Sequence, residues 1–352
     1  MKNALFLTGA AALISQEVAI VDKLIEKKGL EIAPDKTMLA GFSSGALNIG
    51  AINSCFRHEN PLSWDDYFKE KILFNIKTSN VFKREKFIPV NTRPLKEMLS
   101  DFFGAGELHQ MKDLSFESFI LTFSYRRLTT LWGSNLFNQH QQINLIDLMM
   151  ATAAIPFIFP DQTIHSSDDK KLKSLKGHFG DGGTGGSFKR FEYYLKKYQK
   201  QQGQLDKIFI ISPMREISPE DFDELNKMVP STNLFRMDIK DFKVLRFFME
   251  MISKNGFDNF LKRFHHWTKK HPIANEIYVC VPQMAKNFQL LNFNHQREQY
   301  NAVCKWADEN IDELAIPLNE YVERFEKYPL REIGQKLERN LKHRLRSIGT
   351  KK

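Results

Sequence analysis

Short, continuous apolar runs alternate with stretches of helical period through the first two thirds of this chain. The runs are Ala4–Leu7, Thr37–Ala40, Phe119–Phe123, Ile208–Ser212 and Ile277–Val281. Between them lie the helix-like segments Glu17–Lys28, Ala46–Phe56, Asn144–Ala153 and Phe188–Gln202. A strand that is apolar at every residue, not at every second one, is covered on both faces. Such strands, separated by helices of crossover length, predict an α/β fold: a mostly parallel sheet flanked by helices. After Val281 the chain turns helical and charged, punctuated by Pro317 and Pro329. The expected division is one domain over 1–310 and a basic helical C-terminal extension over 311–352.

The chain has 352 residues, enough for one large α/β domain or two smaller ones. At 42% hydrophobic and 26% charged it is globular in composition, which excludes wholesale disorder. Its three cysteines, Cys55, Cys280 and Cys304, form no C-x-x-C pair. That argues against a disulfide scaffold or zinc cluster and for a reducing compartment, so a cytoplasmic protein is expected. No apolar run reaches the ~18 residues of a spanning helix. Met1–Leu7 has a superficial likeness to a signal peptide, but Gln16 and Glu17 follow quickly and Ala4–Leu7 reads as a first buried strand. The net charge is +9, with eight Lys/Arg against two Glu in Arg331–Lys352. Such a tail is either a solvated helix or a contact for an anionic surface. No nucleic-acid fold motif accompanies it, so no nucleic-acid partner is expected.

Gly41-Phe42-Ser43-Ser44-Gly45 follows the strand-like Met38–Ala40 and opens a helix-like stretch. This is the context of a nucleophile elbow, where a serine sits on a strained strand-to-helix turn. The residues two positions to either side of that serine crowd together, so they must be small. Gly41 and Gly45 meet this need when Ser43 is the centre; a frame centred on Ser44 would put Phe42 there. The helix that follows aims its first amides and its positive dipole end at the site.

A serine hydroxyl needs a base. Asp181 is a lone acid in the glycine run Gly180-Asp181-Gly182-Gly183-Thr184-Gly185-Gly186, where a tight backbone lets a carboxylate approach another main chain. The plainer reading of Asp-Gly is a surface hairpin turn. Met150–Pro160 has small residues at a helix end followed by proline and aromatics, and suits close packing beneath a pocket. Leu5–Ala12 runs a strand into a small-residue turn, a geometry that can aim several amides in one direction as an oxyanion hole.

In this order, the four segments resemble the patatin-like phospholipase family. The elbow Gly41–Gly45 and the acid motif Asp181-Gly182-Gly183 match fully. Ala151–Pro160 matches the third motif, with Thr152 where serine is usual. Leu291-Asn292-Phe293 before a helix is similar to the family's last strand-to-helix step. The likeness spans Ala4 to Asn310. One element departs: where the family loop reads Gly-Gly-Gly-x-Arg-Gly, this chain has Gly9-Ala10-Ala11-Ala12-Leu13-Ile14. The resemblance implies a Ser43–Asp181 dyad working through an acyl-enzyme on lipid or other carboxylic esters. Backbone amides of Gly9, Ala10, Ala11 and Ser44 would form the oxyanion hole. No cofactor and no metal are expected, since the chain has no H-E-x-x-H, EF-hand or P-loop motif. The altered loop leaves a second reading open: a catalytically weak or inactive patatin fold that binds lipid or a protein partner.

Among ten histidines, His295 completes a Ser43…Asp181…His295 chain order, but the elbow comes too early for an α/β-hydrolase triad. H-E-x-x-H, EF-hand and P-loop motifs are absent. Within Lys254–Lys270, Phe257, Phe260, Leu261, Phe264 and Trp267 share one helix face, and Lys262, Arg263, Lys269 and Lys270 the other. This reads either as a helix packed on the sheet or as an interfacial helix giving peripheral contact with an anionic membrane. The stripe Ile333, Leu337, Leu341 and Leu345 in the tail carries the same two readings.

Overall fold

The computed structural model describes residues 2–83, 89–156, 158–167, 177–183, 189–213, 257–284 and 288–326. Five apolar runs form the backbone of its sheet: β1 (Asn3–Leu7), β2 (Thr37–Gly41), β3 (Glu117–Ser124), β6 (Leu205–Ile211) and β7 (Ala274–Cys280). Three further strands are β4 (Thr129–Ser134), β5 (Phe179–Asp181) and β8 (Ile316–Pro317). The order is β4-β3-β2-β1-β6-β7-β8, with β5 also paired to β3. The pairs β3–β2, β2–β1, β1–β6 and β6–β7 are parallel; β4, β5 and β8 join antiparallel. The expected mostly parallel sheet is therefore the observed one.

Alternate side chains of each strand feed two cores. Leu5, Leu7, Leu39, Ile120, Phe209 and Ile211 face one; Ala4, Phe6, Met38, Ala40, Phe119 and Ile210 face the other. The first face is covered by α1 (Ile14–Lys28), α2 (Ser44–Cys55), α4 (Arg93–Ala105), α5 (Leu145–Thr152) and α8 (Gln296–Glu309), with a one-turn helix, α3 (Thr78–Val81), at its margin. The second is covered by α6 (Lys189–Gln202), α7 (residues 257–268) and α9 (Leu318–Glu326). Aromatic stacking runs through it: Phe6 stacks on Phe191 at 4.8 Å between centroids, and Phe260 on Phe264 at 5.3 Å.

Of the two readings of Lys254–Lys270, the helix packed on the sheet is the observed one over residues 257–268. The apolar face of α7 is not available to a membrane, because Phe257, Phe260, Leu261, Phe264 and Trp267 all lie in the second core. Only Arg263, Lys269 and Lys270 on its basic side are exposed. Residues 311–326 carry β8, which pairs with β7, and α9, which packs into the second core. Lys254 and the basic tail Arg331–Lys352 fall outside the described residues. Among the described residues, no helix is long and apolar enough to cross a membrane.

Phe260, 1% exposed, decides between the packed and the interfacial reading of α7. Phe260→Ala is expected to lower the unfolding free energy by about 3–5 kcal/mol, read from the denaturant midpoint, as for a large aromatic removed from a core. A near-zero change would place that face elsewhere.

Candidate active site

The site forms where β2 and β5 meet head to head along one edge of β3. β2 ends with Gly41 beside Ile120. Two residues on, β5 takes over the same edge in the opposite direction, with Asp181 beside Thr122. The turn leaving β2 and the end of β5 are thus brought together by their shared neighbour.

Ser43 occupies that turn with φ 53° and ψ −138°, at the N-terminus of α2. A non-glycine residue held there costs about 1–3 kcal/mol and persists only when its surroundings fix it. They do so tightly. A Cβ on Gly41 would lie 2.4 Å from the Leu7 carbonyl oxygen, and one on Gly45 2.3 Å from the same atom. The Ser43 N–H donates to Thr152 Oγ1 at 2.9 Å, and Thr152 Oγ1 donates to the Leu121 carbonyl at 2.6 Å. Thr152 thus ties the elbow to β3, a role the residue pattern alone, read as plain core, does not reveal.

Asp181 is 8% exposed. Its N–H donates to the Ala154 carbonyl at 2.9 Å, and its Oδ1 accepts the Gly183 N–H at 2.7 Å. The Ser43 side chain lies close enough to the carboxylate to bear on its proton affinity. Burial pushes Asp181 up from near 3.8 to about 6, against the lowering effect of the Ser43 and Gly183 hydrogen bonds. Gly182 leaves no room for a side chain, since a Cβ would lie 2.2 Å from the Leu121 carbonyl and 2.7 Å from Phe42 Cβ. Gly183 packs against the Phe42 ring. Thr184–Gly186 lie outside the described residues. His295 is exposed and pairs with Glu298.

The loop after β1 departs from expectation. The Gly9 N–H donates to Glu17 Oε1 at 2.7 Å, and the Ala10 N–H to Ser44 Oγ at 2.9 Å. Two of the four amides assigned to the oxyanion hole are therefore already engaged. The Ala11 and Ser44 amides have no acceptor among the described residues, and both residues line the pocket described below. Ala11 adopts φ 49°, so an alanine takes the left-handed conformation that a glycine run would supply freely. Gly9, at φ 66°, cannot be replaced in the same way: its Cβ would meet the Ser44 and Gly45 amide nitrogens at 2.8 and 2.7 Å. Glu17, entirely buried, is pushed up to about 8 by desolvation, although the Gly9 and Asn48 hydrogen bonds oppose this.

Ser43, Ser44 and Ala11 form one end of a pocket of about 420 Å³, counting its open mouth. The remaining walls, including Ile14, Leu47, Leu95, Met98, Ile155 and Phe159, are apolar. Phe293 also contributes, from a 3-10 turn and not from a final strand: Leu291 lies in a turn and Asn292 caps the 3-10 turn before α8. Among the described residues, no three His, Cys, Asp or Glu side chains gather as a metal site.

The family profile for patatin-like phospholipases matches residues 9–188, just over half of the chain. The chain belongs to the patatin-like phospholipase family. That places it, at the family level, among lipid hydrolases. Among solved structures, the crystal structure of VipD from Legionella pneumophila is similar at 9% sequence identity and a TM-score of 0.31, over 88% of this chain and 67% of that one. Comparison with curated proteins yields no match.

Two outcomes are expected from these contacts. Thr152→Val leaves the Ser43 N–H and the Leu121 carbonyl unpaired and should destabilise the fold by about 2–4 kcal/mol, whereas Thr152→Ser should recover most of that loss in the same chemical melt. Asp181→Asn should stabilise. The folded-state carboxyl is protonated more readily than the unfolded one, so native stability falls as pH rises from near 4 to about 6. The gain from Asp181→Asn should be absent below about pH 4 and reach up to about 3 kcal/mol above pH 6.

Proposed function

We propose that this protein is a serine acyl hydrolase that cleaves carboxylic ester bonds of lipids, in the manner of a phospholipase A, through a Ser43–Asp181 dyad. The observation that carries the reading is a strained serine that opens on an apolar pocket and has beside it a buried carboxylate of raised basicity. An acyl chain in that pocket would place its ester carbonyl at Ser43. Asp181 takes the hydroxyl proton as Oγ attacks the carbonyl carbon. The Ala11 and Ser44 amides, both unengaged, supply the donors for the oxyanion. Asp181 then gives the proton to the departing alcohol, leaving an acyl-Ser43 ester. Water attacks that ester, its proton passing to Asp181 and on to Ser43 Oγ as the acyl–oxygen bond breaks, and the free acid leaves.

The raised carboxylate is suited to this work. A base ionised only above about pH 6 binds a proton more strongly at neutral pH than an ordinary aspartate does. A second reading is a weak or inactive lipid-binding patatin fold. It is favoured by the commitment of the Gly9 and Ala10 amides, which leaves a smaller oxyanion hole than a glycine run would give.

A fluorophosphonate probe separates the two. Labelling of the wild type that disappears in Ser43→Ala, with a loss of about 10³-fold or more in ester hydrolysis, is the hydrolase outcome. Fatty-acid binding with no labelling at all is the outcome of the second reading. In the hydrolase case, kcat/KM should rise tenfold per pH unit below about pH 6 and level off above it, because only the ionised carboxylate accepts the proton.

A further inference from the structure

Glu17 lies outside every motif quoted above and is 0% exposed. It sits in the first turn of α1, so its side chain meets the loop that leaves β1. One carboxyl oxygen accepts the Gly9 N–H at 2.7 Å, and the other accepts Asn48 Nδ2 at 2.9 Å. Asn48 belongs to α2, the helix that the nucleophile opens. One acid thus joins the loop, the helix that follows the loop and the helix that follows the serine.

The rest of the loop is held in the same way. Ala10 N–H donates to Ser44 Oγ, Ala12 N–H to the Leu290 carbonyl at 2.8 Å, and the Ala12 carbonyl accepts Gln296 and Gln299 Nε2 at 2.9 and 3.1 Å. Gln299 is fixed in turn by Gln16, 3.0 Å away. Ala11 alone, between two anchored residues on each side, keeps a strained φ and an amide with no acceptor among the described residues. A buried carboxyl tethering a main-chain amide is costly unless its hydrogen bonds are complete. Those bonds converge on the one loop whose sequence has lost its glycines.

We infer that Glu17, oriented by Asn48, is a positioning residue that clamps the Gly9 amide and so sets the Ala11 N–H as an oxyanion donor beside Ser43. The acid supplies by attachment what a glycine run supplies by freedom. Glu17 does not touch the substrate; it acts through the loop. The inference rests on the hydrolase reading for its kinetic consequence but not for its structural one.

The test compares Glu17→Leu and Glu17→Gln with wild type. Hydrogen exchange of the peptide covering the loop, followed by mass spectrometry, should show protection lost in Glu17→Leu and largely kept in Glu17→Gln, whose carbonyl still accepts the Gly9 N–H. On a soluble fatty-acyl ester, Glu17→Leu should lower kcat by about 10- to 100-fold with KM changed less than about threefold, the pattern of a misplaced transition-state donor. Glu17→Gln should recover most of that kcat. If Glu17→Leu does not fold, Asn48→Leu takes its place, with a smaller loss in kcat expected on the same grounds. Loop protection unchanged in a folded Glu17→Leu would overturn the inference, and so would a KM defect with kcat intact. An inactive, unlabelled wild type whose loop still loosens in Glu17→Leu would refute the hydrolase reading and leave the clamp standing.

Discussion

The site depends on how closely main chain approaches main chain around one carbonyl, that of Leu7 at the end of the central strand. The Phe42 N–H donates to it at 3.2 Å. Gly41 and Gly45 press on it from either side of the elbow, and Gly9 presses on the amides of Ser44 and Gly45. No side chain fits anywhere in this contact. It is the reason for the glycine spacing, and it holds Ser43 in a conformation that serine does not choose. Ser43 faces its pocket because the backbone behind it has nowhere else to go.

The partner carboxylate is placed by different physics. β5 is only three residues long and pairs with β3 just past the end of β2, so its last residue faces the elbow. Burial then does two things to Asp181 at once. It raises the energy of the ionised form, which weakens the fold, and it raises the affinity for a proton, which is what a base requires. Glu17 is buried more completely and pushed further, and it serves as an anchor. Two acids in the same small region thus differ in role through what surrounds them: a hydroxyl within reach in one case, a main-chain amide in the other.

The five parallel strands and the helices α1, α2, α5 and α6 are legible in the sequence, because burial on both faces leaves unbroken apolar runs and helices leave their own period. The tight backbone at Ser43 and Asp181 is legible because steric crowding restricts the neighbouring positions to glycine. The antiparallel strands β4, β5 and β8 leave little trace, since two are three residues or shorter and owe their form to pairing, not to pattern. α7 shows why periodicity alone cannot name a partner: a face rich in phenylalanine suits a lipid boundary and a protein core equally, and here Phe6 and Phe191 claim it. Thr152, Glu17 and the glutamines of α8 are invisible to pattern. Their value is a single hydrogen bond to a main chain far away in sequence, and no spacing rule encodes that.

The anchors of the loop behind the nucleophile come from the far end of the chain. Leu290, Gln296 and Gln299 hold Ala12, and β1 gains its second neighbour only when β6 arrives. Synthesis proceeds from the N-terminus, and contacts between remote segments form late and slowly. The growing polypeptide therefore carries Ser43 for most of its time on the ribosome without the framework that fixes the loop behind it. On the hydrolase reading, a chain built this way holds its serine unarmed until about three hundred residues have been joined and folded together.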